Sequence, residues 1–160
     1  MKPIRLFLFL IVFLSMGSCA PSTTADGDAI TLQSFKFSDL NGEPIDLEAL
    51  KGKRVFLNIW ATWCGPCIQE MPSISSLQES LKNEPVAFLL ASDEDHTLIN
   101  RFAARGIAKD LPLVRLDNPE AFGINAIPVT FIFDGEGKLV HSEMGARDWS
   151  TADAKDLVLN

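Results

Sequence analysis

The chain is poor in histidine, cysteine and basic residues, has no tyrosine, and contains no long apolar run. Most of these shortages exclude something. Zinc takes four ligands, drawn mainly from Cys and His. Only three cysteines and two histidines are present; Cys19 is far from Cys64 and Cys67, and His96 and His141 lack ligand spacing, so no metal site is expected. The apolar run Leu6–Leu14 has nine residues, whereas a bilayer span needs about 20. Lys and Arg number 14 against 21 Asp and Glu, a formal charge of −7. Such a surface repels phosphate backbones, so nucleic acid is not an expected partner. Without tyrosine, Phe and Trp supply all the aromatic packing, and no function follows from that. At 160 residues the chain is long enough for one packed domain.

The first residues have the layout of an export signal. Lys2 and Arg5 form a positive start, the nine-residue apolar run follows, and small residues come next at Ser15, Gly17 and Ser18. Removing this stretch leaves 12 basic against 21 acidic side chains, a balance of −9. The stretch Met16-Gly17-Ser18-Cys19 resembles a bacterial lipobox, although Leu is commoner at the first position. That resemblance implies a signal over residues 1–18 and a lipidated Cys19 as the mature N-terminus. Ordinary cleavage nearby, or an uncleaved anchor, is the alternative. Residues 19–30 are small and polar and suit a flexible tether. Residues 31–160 are left for the folded domain.

Within that domain the pattern alternates between strand and helix. Phe35-Lys36-Phe37 and Ile45-Asp46-Leu47 flank Asn41-Gly42, which predicts a β-hairpin. Residues 54–60 and 86–91 are nearly continuous apolar runs, as expected of strands buried on both faces. Between them, residues 68–83 carry helical periodicity through Ile74, Leu77 and Leu81, with Pro72 inside. A helix is expected from Ser92 or Asp93 to Arg105, stopped by Gly106, and a short strand at 113–116. One helical turn is expected at 118–122. Residues 129–133 and 138–142 flank a turn at Asp134–Gly137, and Ser150 or Thr151 opens a last helix. The order implies an α/β domain with a mixed sheet.

Cys64 and Cys67 stand at i and i+3 where the first long helix begins. That spacing allows a disulfide, and the helix start stabilises a thiolate at its first cysteine. Cys64 is therefore the expected nucleophile and Cys67 the shielded, resolving thiol. A CxxC pair alone also fits half a zinc site or a structural disulfide, whereas haem attachment would need His in place of Ile68.

Trp63-Cys64-Gly65-Pro66-Cys67 after a buried strand resembles the active-site signature of the thioredoxin superfamily. About 60 residues on, Ile127-Pro128-Val129-Thr130 matches a second family element. The resemblance implies a thioredoxin-like three-layer sandwich, with helices flanking a mixed central sheet and an N-terminal β-hairpin. It implies that Pro128 is cis and that the Ile127 backbone pairs with substrate. Trp63 is expected to shield the sulfur and, with Gly65, Pro66, Ile127 and Pro128, to meet the substrate. Pro72 matches the family's helix-kinking proline. The chain looks most like the anchored TlpA/ResA-like group, in which Glu70 matches an acidic residue; assistance in proton transfer or shaping of the site is its expected role. Asn58 stands where cytosolic thioredoxins carry a buried, titrating Asp.

The same resemblance implies a thiol–disulfide oxidoreductase of the cell envelope, facing the periplasm or the outside. Gly65-Pro66 is the dipeptide of reductants, so disulfides of exported proteins are the expected substrates, with cytochrome c maturation among the roles. The implied partners are those proteins, a membrane reached through the lipid anchor, and a membrane electron donor. No cofactor beyond the Cys64/Cys67 dithiol is expected. The alternative is copper delivery on the same fold, but relatives of that kind place three residues between their cysteines and add a His. A thiol peroxidase would carry Thr where Ala61 stands. His96 and His141 are expected at the surface, Trp60 in the core, and Asp93-Glu94-Asp95 as an acidic helix start.

Overall fold

The computed structural model describes residues 30–121 and 123–160. The expected export signal, Cys19 and nearly all of the expected tether lie outside the described residues.

Strand β2, Arg54–Ile59, lies inside the sheet because it is apolar toward both faces. It pairs in parallel with β3, Val86–Ser92, and antiparallel with β5, Val129–Phe133. Strand β4, Leu113–Leu116, adds in parallel beyond β3, and β1, Phe37–Ser38, closes that edge antiparallel. Strand β6, Leu139–Met144, closes the other edge beside β5. The spatial order is β1-β4-β3-β2-β5-β6.

Alternation along the strands sorts the core into two layers. Phe56, Phe88, Leu90, Leu113 and Ile132 point to one face. There they meet Met71, Ile74 and Leu77 of helix α1, Gly65–Ser80, and Ile99 and Phe102 of helix α2, His96–Ala103. Ala154 and Val158 of helix α3, Ala152–Leu159, join them. Val55, Leu57, Leu89, Val114 and Phe131 face the other way, toward Leu32, Phe35 and the partly buried Leu47 and Leu50. That second cover is built from 3-10 turns, Leu32–Ser34 and Leu47–Leu50, rather than from an α-helix. Each large apolar side chain so buried contributes about 1.5–3 kcal/mol.

The expected hairpin around Asn41-Gly42 is present in reduced form. Its first arm is β1, and its second is a single bridge from Ser38 to Pro44 plus a bond from Ile45 N to Phe37 O. The Asp39 carboxylate holds the turn by accepting from the Asn41 and Glu43 amides. Helix α2 is shorter than its periodicity suggests. Ser92 is still a strand residue paired with Arg115, and Asp95 is the cap, its carboxylate accepting from Thr97 N at 2.8 Å. Helix α1 runs on through Pro72 to Ser80. The single turn expected near 118–122 is a 3-10 turn at Pro119–Ala121.

Candidate active site

The site forms where β2 gives way to α1. Cys64 is the N-cap of that helix, and its Sγ accepts from Cys67 N at 3.2 Å. A capping sulfur is thus placed at the positive end of the helix, where an anion is favoured. Pro66 sits in the first turn, where its missing N–H costs nothing. Cys64 and Cys67 are joined as a disulfide, with Cα atoms 5.3 Å apart. Cys67 is fully buried, whereas Cys64 keeps 4 % exposure. Cys64 is therefore the more accessible of the two sulfur-bearing residues.

The Ile127–Pro128 peptide is cis. It precedes β5, and pairing of that strand with β2 brings it to the cysteines. The Ile127 carbonyl oxygen stands 3.9 Å from Cys64 Sγ. Trp63 stands largely in solvent, 74 % exposed, next to the buried Cys64. It lines a groove of about 180 Å³ together with Ile124, Asn125, Ala126 and Ile127. Gly65 and Pro66 are exposed beside it.

Behind the disulfide lies a buried polar network. Glu70 is 4 % exposed. One carboxylate oxygen accepts from Asn58 Nδ2 at 2.9 Å; the other accepts from Arg147 N and Trp149 Nε1, each at 3.1 Å. Burial raises the Glu70 pKa above the ordinary glutamate value, and those three donors hold back part of the rise. Asn58 points to the helix side of the sheet, and its second N–H donates to Thr130 Oγ1 at 3.0 Å. The Arg147 guanidinium lies 5.1 Å from the Trp149 ring centre and donates to Glu143.

The sequence drew attention to Asn58, Glu70 and the Ile127–Thr130 element but not to Trp149 or Arg147. A lone tryptophan in the polar stretch 145–151 was the available signal, since such a ring is rarely spent on a solvated loop. Trp149 is fully buried, packed edge-on against Phe56. The acidic trio also divides. Asp95 caps α2, but the Glu94 carboxylate turns away and accepts from Thr62 N at 2.6 Å and Thr62 Oγ1 at 2.8 Å. It fixes the turn that leads into Trp63 and Cys64. His96 is half-buried, with Nε2 3.0 Å from Ser38 Oγ, and His141 is half-buried beside Glu143. Among the described residues no group of His, Cys, Asp and Glu is placed to hold a metal, and no helix is long and apolar enough to cross a membrane.

A mixed sheet, a cis proline and a disulfide at a helix start define a thioredoxin-like thiol–disulfide oxidoreductase. The chain belongs to the Redoxin family, whose model matches residues 25–158. It is 33 % identical over 161 residues to the thiol-disulfide oxidoreductase ResA of Bacillus thuringiensis strain Al Hakam, covering 91 % of each chain. To ResA of Geobacillus thermodenitrificans it is 35 % identical over 119 residues, 72 % of this chain and 68 % of the relative. Among solved structures, a thiol:disulfide interchange protein of Chlorobium tepidum TLS superposes with a TM-score of 0.67 at 27 % identity, over 84 % of this chain and 97 % of that one.

Proposed function

We propose that this oxidoreductase works as a reductant of exported proteins in the cell envelope, through Cys64 and Cys67. The observation that carries the reading is the placement of Cys64. Its sulfur caps α1, lies near the Ile127 carbonyl, and belongs to the less buried cysteine of the pair.

In the reduced protein, the Cys64 thiolate attacks one sulfur of a substrate disulfide. A mixed disulfide forms and one substrate thiolate leaves. The Cys67 thiolate then attacks Cys64 Sγ, expelling the second substrate thiolate and closing the Cys64–Cys67 bond. The substrate gains two electrons and two protons; the protein loses both. Cys67 must shed a proton before it attacks. Glu70 follows it by three residues and shares its face of α1, and its raised pKa makes it a stronger base than an ordinary glutamate. A surface cavity of about 290 Å³, lined by Glu70, Ser73 and Arg147, offers that proton a route to solvent. An external dithiol must then return two electrons; a membrane donor fits an anchored protein.

Gly65-Pro66 supports the reducing direction, and the export signal with Cys19 supports a lipid-anchored domain outside the cytoplasm. Apocytochrome c is one candidate substrate. The test is Cys67→Ala, which should arrest mixed disulfides with the true partners for identification by mass spectrometry. Capture of cytosolic proteins alone, or of none, would overturn the reading. Titration of the reduced protein with Cu(I), run beside an insulin-reduction assay, separates it from copper delivery. Changing Cys19 to Ser should move the protein from the membrane fraction to the soluble one.

A further inference from the structure

Asp93, Glu94 and Asp95 are adjacent in sequence but serve different ends. Asp95 caps α2 and Glu94 holds Thr62. Asp93 makes no hydrogen bond or ion pair among the described residues. It lines the groove beside Trp63, where it is the single charged residue. Apart from Asn125, the remaining side chains there are apolar, and the lining includes Ile127, whose carbonyl oxygen stands 3.9 Å from Cys64 Sγ.

We propose that this groove selects substrate disulfides flanked by lysine or arginine, with Asp93 as the residue that reads the cation. The proposal rests on the dithiol reading above. An exposed carboxylate in an otherwise apolar lining suits a side chain with an apolar stem and a cationic head. The stem can lie along Ile124 and Ala126 while the head reaches Asp93. The exposed Trp63 face offers the same cation a second attraction. A carboxylate beside the substrate cysteine meets repulsion from Asp93 instead.

The experiment uses the full chain and three disulfide peptides that differ only in the residues flanking cysteine: Lys, Gln or Glu. Wild type should rank them Lys, Gln, Glu in kcat/KM, with Lys ahead of Glu by about two- to fivefold at low salt, the range of exposed ion pairs. In Asp93→Asn that ratio should fall toward one, and in Asp93→Lys the order should reverse. Asp153→Asn removes a charge of the same sign from the exposed start of α3. It should keep the wild-type ratio, which separates a local contact from the overall negative field. An unchanged ratio in Asp93→Asn, or equal rates for all three peptides with wild type, would overturn the role of Asp93 alone. Failure of wild type to reduce any of them would overturn the dithiol reading and this inference with it.

Discussion

Glu70 accepts from three neutral N–H donors and has no cationic partner among the described residues. Its charge state is therefore a contest between burial, which favours the protonated form, and those donors, which favour the anion. Trp149→Phe keeps a buried ring but deletes one donor. The Glu70 titration, followed by carboxyl 13C NMR, should move to higher pH than in wild type. No movement would show that the indole N–H does nothing for the charge. Glu70→Gln should alter the pH profile of the thiols and slow disulfide reduction; unchanged values would remove Glu70 from the proton path. Glu94 tests the other flank. Its carboxylate holds both polar hydrogens of Thr62, and bonds to a charged group contribute about 1.5–3 kcal/mol. Glu94→Ala should lower unfolding free energy in denaturant by about that amount and speed amide exchange around Trp63.

At the scale of elements, helix α1 carries Cys67 and Glu70, with Cys64 as its N-cap, and Ile74 and Leu77 press it onto the sheet. Ile74 is fully buried, so Ile74→Ala should cost about 2–5 kcal/mol in denaturant unfolding. Much of this layer was legible in the sequence. Unbroken apolar runs announced β2 and β3, and the 3.6-residue spacing of Ile74 and Leu77 announced α1. The cysteine pair and Pro128 were legible because rare residues in a fixed context leave few alternatives. The rest depended on contacts that no local pattern carries. Helix α2 begins late because Glu94 is drawn to a residue 32 positions earlier. The hairpin shrinks because Phe37 and Ser38 pair with β4 across the sheet edge. Trp149 reaches Glu70 across 79 residues. Each is a long-range bond, invisible to periodicity.

For the whole molecule, the buried acid has a thermodynamic consequence. The folded state raises the Glu70 pKa, so it favours the protonated form. The stability gained that way is fully present below the ordinary glutamate range and is lost as pH rises through the raised value in the fold. Denaturant midpoints measured from about pH 4 to pH 8 should fall through that window in wild type, and the fall should flatten in Glu70→Gln. A parallel fall in both would assign the effect to other groups. Both apolar layers are built from described residues, from Ile30 onward, so a protein beginning near Ile30 should fold on its own. A cooperative unfolding transition is the check.

The proposed chemistry requires the sulfur of Cys64, once reduced, to be held as an anion at the start of α1. The most direct measurement is its titration by thiolate absorbance near 240 nm, in the reduced protein and in Cys67→Ala. The expected result is a thiolate forming well below the value of about 8.5 for a free cysteine, together with a Cys64–Cys67 bond that opens and closes reversibly in a thiol buffer. A Cys64 that titrates like a free cysteine, or a bridge that never re-forms, would contradict it.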